Sequence, residues 1–272
     1  MSIKRLATGS AVAFVFVLVG AMPALAAAPS NDAFPNARVV PGVPFTNVVN
    51  TTDATTAADD PNCTNESHTV WYRFRPAQTG RYQFSTSTDG FPSAVAVFSG
   101  SRGALSFLAC GASGGPTAVT RADLQAGTLY RIMAGTYNGR GDPAAIGGRL
   151  TLRVTKPVLP TARITFGRAT VDTVSGVVQL HGTITCLGTA VFADVFGILR
   201  QVRNGFFARG SGSAAPATCG SAPKPWTMAV ESETVRAFVP GQASLDFFFE
   251  ACDTVECLPV RQGTIRRTLR GV

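Results

Sequence analysis

The chain has 272 residues, with 24 Lys and Arg against 16 Asp and Glu for a formal charge of +8, and a hydrophobic fraction of 45%. Its only lysines are Lys4, Lys156 and Lys224, and the arginines are thinly spread. That excludes the interleaved Lys and aromatic tracts of a nucleic-acid surface and leaves an acidic extracellular polymer as the partner such a charge would favour.

In chain order, Lys4 and Arg5 precede an apolar run beginning at Ala11, Pro23 breaks it, and Ala24 and Ala26 occupy the −3 and −1 positions of an A-x-A cleavage site. This is the layout of a secretory signal peptide over residues 1–26, cut between Ala26 and Ala27. The run falls short of the roughly 20 residues that span a bilayer, and no longer one follows, so no membrane span is expected in the mature chain. The chain is therefore read as secreted.

Short strands follow. Val70, Tyr72 and Phe74 alternate with Trp71 and Arg73, the period of a half-buried strand. Further strands are predicted over residues 81–85, 94–98, 105–110, 117–122, 129–134 and 149–155, separated by Gly, Pro, Asn, Asp and Ser. The one helical candidate is a turn near residues 31–37. Pro157 and Pro160 mark residues 156–160 as a stiff linker. Beyond it, strands are predicted over residues 162–166, 177–186, 190–202, 206–211, 226–231, 243–252 and 260–269. Leu245, Phe247 and Phe249 should face inward, with Asp246, Phe248 and Glu250 outward. Turn signals at this spacing fit a sandwich. The fold expected is all-β, two tandem antiparallel β-sandwiches over residues 27–155 and 161–272, jelly-roll-like and then immunoglobulin-like.

Six cysteines in an oxidising compartment predict three disulfides. The first half holds only Cys63 and Cys110, which should bridge. In the second, Cys252 and Cys257 lie within reach of one tight turn, which leaves Cys186 with Cys219. The competing arrangement is Cys186–Cys252 across two sheets with Cys219–Cys257.

Residues 31–37 (Asn-Asp-Ala-Phe-Pro-Asn-Ala), Val70-Trp71-Tyr72-Arg73-Phe74, Thr79-Gly80-Arg81-Tyr82 and Val95-Ala96-Val97-Phe98-Ser99-Gly100 carry a resemblance, as do Ala109-Cys110 and Gly127-Thr128-Leu129-Tyr130-Arg131-Ile132. The segment resembles pre-peptidase C-terminal-like domains, exported β-sandwich modules appended to secreted bacterial peptidases and glycan-active enzymes. It departs from that pattern at Pro92-Ser93 and at Gly111-Ala112-Ser113, so a calcium or polar-ligand role tied to those positions is not carried over. Residues 160–272 resemble a cysteine-bearing immunoglobulin-like domain of exported bacterial proteins, through the run from Leu180 to Cys186, Cys219 with Trp226, and Pro240-Gly241-Gln242-Ala243 before Cys252. The order of these cysteines and Trp226 is not that of an antibody domain, so only sandwich architecture is implied.

Candidates for chemistry are few. Cys110-Gly111-Ala112-Ser113-Gly114-Gly115-Pro116 is similar to the nucleophile loop of trypsin-like proteases and fits G-x-S-x-G. It has Ala112 where an aspartate belongs, and a strand follows where the hydrolase elbow needs a helix. Glu66 and His68, two apart in an extended chain, would share a side and could act as orienter and general base. Asp53, Asp59, Asp60, Asn62 and Glu66 form an acidic loop without the spacing of a dedicated calcium loop. His181 should point outward from a strand. Trp71, Tyr130, Tyr137 and Trp226 are candidate platforms for a sugar ring or a protein. No zinc spacing occurs, so no metal or other cofactor is expected. The reading is a secreted, non-catalytic binding or adhesion protein for cell-wall glycan, polysaccharide or an extracellular protein. The alternatives are a hydrolase using Ser113 or His68/Glu66, and an exported structural or protease-inhibitory protein.

Overall fold

The computed structural model describes residues 27–139 and 146–272; the expected signal peptide, residues 1–26 with Ala26 at its end, lies outside them. Among the described residues the secondary structure is a single 3-10 turn, Phe34–Asn36, and strands. The first half contains β1 (Arg38–Val40), β2 (Phe45–Asn50), β3 (Glu66–Phe74), β4 (Gly80–Thr88), β5 (Ser93–Ser101), β6 (Ala104–Ser113), β7 (Thr117–Leu124), β8 (Tyr130–Tyr137) and β9 (Arg149–Thr155). They form a five-stranded sheet, β1-β3-β8-β5-β6, and a four-stranded sheet, β2-β9-β4-β7.

Alternation explains the core between these sheets. Tyr72 and Phe74 of β3, Val95 and Val97 of β5, and Ile132 of β8 meet Tyr82 and Phe84 of β4 and Leu150, Leu152 and Val154 of β9. Each such side chain contributes on the order of 1.5–3 kcal/mol when buried. The five-stranded sheet is covered on its other face too. There Trp71, Ala96, Phe98 and Met133 pack under Phe34 and Ala37 of the N-terminal segment. Covering on both faces is why β5 reads as a continuous apolar run, Ala94 to Phe98, rather than an alternating one.

The second half contains β10 (Pro160–Val171), β11 (Val178–Gly188), β12 (Phe192–Arg203), β13 (Phe206–Ala214), β14 (Lys224–Val230), β15 (Gly241–Cys252) and β16 (Cys257–Gly271). Their order is β13-β12-β15-β16-β10-β11-β14. β16 sits in the middle of this order and joins its two parts, pairing antiparallel with β15 and then, over its last residues, parallel with β10. The core holds Trp226 and Met228 of β14, Ile184 of β11, and Leu245, Phe247 and Phe249 of β15. Asp246, Phe248 and Glu250 face outward.

Three details differ from the sequence reading. The strands are not all antiparallel, since β1 runs parallel to β3 and the end of β16 parallel to β10. β1 and β2 were not foreseen; the first has three residues, and the one fully buried position of β2 is Asn47, held against the Tyr72 hydroxyl at 2.9 Å. Pro160 belongs to β10 rather than to the linker, paired with Gly188. As the first residue of a strand it gives up no ladder hydrogen bond from the interior.

The six cysteines pair as Cys63–Cys110, Cys186–Cys219 and Cys252–Cys257, with Cα separations of 6.3, 5.5 and 3.9 Å. The first ties the loop before β3 to β6, the second ties β11 to the loop before β14, and the third closes the β15–β16 hairpin.

Candidate functional site

The structure disperses the catalytic candidates. Ser113 ends β6, and its Oγ accepts a hydrogen bond from the Gly115 amide at 3.0 Å, which stabilises a hairpin turn. In register, Ser113 faces Ser93, Ser93 faces Thr136, and Thr136 faces Ser67. Three strand spacings at about 4.8 Å put Ser113 roughly 14 Å from the start of β3, so no Ser113–His68 pair forms. Nor is the segment that carries Glu66 and His68 a regular strand in which residues two apart face one way. A register shift between Ser67 and Val70 interrupts β3, and His68 has a φ of 50°. Such a bulge re-aims the side chains around it. The signal lay across the sheet, at Gly135, where a Cβ would sit 2.6 Å from the Ser67 carbonyl. The Glu66 carboxylate accepts from the Cys63 and Thr64 amides, both at 3.1 Å, and so holds its own turn.

The acidic loop is likewise committed. Asp59 forms a two-pronged pair with Arg102, which holds its carboxyl below the usual range. Asp60 accepts from the Thr69 hydroxyl at 2.8 Å and the Ala57 amide at 3.1 Å, and Asn62 pairs with Asn65. Asp53 takes no part in these contacts among the described residues. Two groups that could crowd an ion, Cys63 with Glu66 and Cys110, and Glu250 with Cys252 and Cys257, each contain one bridged disulfide. A bridged sulfur has no thiolate to give a metal.

Three of the four proposed aromatic platforms are unavailable. Trp71, Trp226 and Tyr130 are buried, the first under Phe34 at a ring-centroid distance of 4.9 Å and the second against Phe166 at 5.5 Å. Tyr137 is half-buried on β8 opposite Glu66. His181 does point outward, with Nδ1 3.0 Å from the Thr227 hydroxyl.

Apart from Phe107 on β6, the exposed phenylalanines among the described residues lie on β12 and its neighbours. The inward side of β12 carries Ala193, Val195, Gly197, Leu199 and Gln201, all buried. Its outward side carries Phe192, 46% exposed, Phe196, 44%, and Val202, 73%. The larger apolar side chains thus face away from the core, the reverse of what burial alone selects. Gly197 shows how closely the inward side is filled, since a Cβ there would lie 2.7 Å from Leu245 Cδ1. In register, Phe196 stands directly opposite Phe248 of β15, and Val202 opposite Phe207 of β13. At the far end, Asn204 and Gly205 both have positive φ and connect β12 to β13. Asn-Gly is the preferred pair for such a two-residue turn, and this sequence signal was overlooked.

This outward face also holds a cavity of about 490 Å³ between Val202, Phe207, Arg200, Gln242, Ser244 and Arg266. Arg200 is paired with Asp246 across the strands, whereas Arg266 has no acidic partner among the described residues. An apolar row beside a guanidinium can stack a flat or ring-shaped group while holding a polar substituent.

No family model matches the chain, and no curated protein matches it. Among solved structures it is similar to a GH2 β-galacturonidase from Eisenbergiella tayi bound to glycerol, at 10% identity and a TM-score of 0.23, over 74% of this chain and 35% of that one. A glycosyl hydrolase family 2 member from Bacteroides cellulosilyticus DSM 14838 gives 15% identity and a TM-score of 0.22, over 77% and 31%. The exo-chitosanase CsxA of Amycolatopsis orientalis gives 11% and 0.19, over 73% and 25%. The chain spans about a third or less of these structures, and at such TM-scores the likeness carries no argument about function.

Proposed function

We propose that this chain is an exported, non-catalytic binding protein that engages cell-wall glycan, another polysaccharide or an extracellular protein through the outward face of β13, β12 and β15. The observation that carries the reading is the cross-strand pair Phe196 and Phe248, which with Phe192 puts three phenylalanines on a solvent-facing sheet surface. Contiguous exposed apolar surface of this kind marks an interaction site in a soluble protein. The leader, cut between Ala26 and Ala27, and the three disulfides support delivery outside the cell. The first half, read through its resemblance to pre-peptidase C-terminal-like domains, is the accessory module of the pair. The test is retention of the purified protein on insoluble cell wall and on polysaccharide. Wild-type protein should be held saturably, and Phe196→Ser with Phe248→Ser should lower retention at least tenfold while leaving the unfolding midpoint unchanged. Equal retention of the double variant sinks the proposal, and so does fluorophosphonate labelling abolished by Ser113→Ala, which would restore the hydrolase alternative.

A further inference from the structure

We propose that Arg168, Arg266, Arg267 and Arg270 form a binding site for the oxyanion groups, carboxylate or phosphodiester, of an acidic polysaccharide. The four residues line one cavity of about 450 Å³ with Gly167, Ala169 and Thr268. Two features of the fold bring them together. β10 carries a bulge between Phe166 and Ala169, where Gly167 and Arg168 oppose His181 alone, and the bulge turns Arg168 out of the ladder. The parallel pairing of Thr170 with Arg270 then lays the end of β16 beside that bulge. Arg266 and Arg267 come from the stretch of β16 paired with Ser244 and Ala243.

Among the described residues, none of the four arginines makes an ion pair with a carboxylate, and no acid lines the cavity. Arg267 is half-buried, with its guanidinium 5.3 Å from the Phe166 ring and Nη2 donating to the Phe166 carbonyl at 3.3 Å. Its Nε is buried without a hydrogen-bond partner. Burial lowers its pKa, the sign of a cation held where no counter-charge compensates it. Like charges gathered in one cavity repel and raise the local affinity for anions. Guanidinium forks match the two oxygens of a carboxylate or phosphate. Arg261, the remaining arginine of the C-terminal run, does not line this cavity; its guanidinium lies over Phe247 at 5.5 Å.

Arg266 lines both this cavity and the one beside Phe207, so the arginine site continues the aromatic face. The choice of a polysaccharide rests on the binding reading above; the oxyanion site itself does not. The experiment is therefore run in two arms on the mature protein. In the first, inorganic phosphate is titrated while the unfolding temperature is followed. Phosphate should raise it saturably, and Arg267→Gln with Arg270→Gln should abolish the shift. In the second, retention is measured on immobilised alginate, a carboxylated glycan, on neutral dextran, and on anionic phosphatidylglycerol vesicles. Alginate should be preferred, with at least a tenfold loss in the arginine double variant. The control Arg149→Gln with Arg153→Gln removes the same charge from exposed positions of β9 and should lose less than twofold.

Equal losses in the control, or no loss in the arginine variant, overturn the site. Capture by vesicles rather than alginate through the same arginines overturns the polysaccharide assignment. Retention that depends on Phe196 and Phe248 but ignores the arginines overturns this inference and leaves the binding face standing. A phosphate shift lost only in the arginine variant, with no polymer retained, does the opposite.

Discussion

Arg121 and Arg267 are both drawn out of solvent, and only one is compensated inside the chain. Arg121, on β7 of the first half, is 4% exposed at its side chain and donates from Nη1 to Asp253 at 2.8 Å and Glu256 at 2.9 Å. Its Nε donates to Gln83 at 2.9 Å. Both acids sit on the β15–β16 hairpin tip that Cys252–Cys257 closes, and Arg81 of β4 joins the same Glu256. The contact therefore fastens the second half onto the outer face of the β4–β7 pair. Arg267 has one backbone carbonyl, one aromatic ring and three arginine neighbours. A guanidinium with its acids supplied by the fold is a fastener. One whose acids must come from outside is a binding group.

The largest effect that would break this comparison is at the fastener. Removing one member of a buried, hydrogen-bonded ion cluster costs about 3–5 kcal/mol, because the charges left behind stay buried without a partner. Arg121→Ala should lower the unfolding free energy by about that amount in denaturant titrations and expose residues 156–159 to proteolysis. Undiminished stability with a protected linker would mean that the two halves are not held by this cluster.

Acid should release the same contact. Burial alone would push the Asp253 carboxyl up, but hydrogen bonds from the Thr189 hydroxyl, the Val255 amide, Arg121 and the Glu256 amide hold it down at about 2. A folded pKa below the unfolded value of 3.8 stabilises the protein above that value, and the contribution disappears as pH falls through about 2. The difference corresponds to about 2 kcal/mol. Asp253→Asn should therefore be less stable than wild type at pH 6, and the gap should close as pH drops from 4 to 2. A gap that persists at pH 2 would assign the loss to packing rather than to the charge.

How much of this could be read in sequence differs between the two arginines and the sheets that carry them. Alternation at Tyr82 and Phe84, and at Leu245, Phe247 and Phe249, gave strands and their inward faces directly, because one face of each is buried. Dividing the chain at its linker isolates Cys63 with Cys110, but it leaves two arrangements open in the second half, and the structure holds the one with the short Cys252–Cys257 loop. Trp71 stands among the candidate platforms in sequence because what covers it, Phe34, arrives from a separate segment against the outer face of its sheet. The exposed face of β12 is present in the sequence as parity, with Ala193, Val195 and Gly197 on one side and Phe192 and Phe196 on the other, but parity alone does not say which side is buried, and here the smaller residues face the core. The C-terminal arginines formed a visible run, whereas Arg168 joins them only through a bulge and a parallel pairing. Arg121 and Glu256, 135 residues apart, left no local signal at all.

The smallest predicted effect sharpens the comparison most, since it has the opposite sign. Replacing Arg267 with methionine keeps an unbranched stem for packing against Phe166 and removes the charge that burial disfavours. No carboxylate is orphaned by the change, because none is paired with it among the described residues. The three remaining arginines also lose a repelling neighbour. Replacing a poorly compensated buried charge by an apolar side chain of similar volume is neutral to stabilising, so Arg267→Met should gain up to about 1 kcal/mol in buffer without phosphate. Binding sites commonly hold such a trade, stability given up for a group kept ready for its ligand. Addition of phosphate should narrow or erase the difference, because the wild-type cleft, with all four arginines, gains more from the anion. Denaturant titrations of the two proteins with and without phosphate give four midpoints. If Arg267→Met is the less stable protein without phosphate, Arg267 belongs with Arg121 as part of the framework, and the division between the two arginines fails.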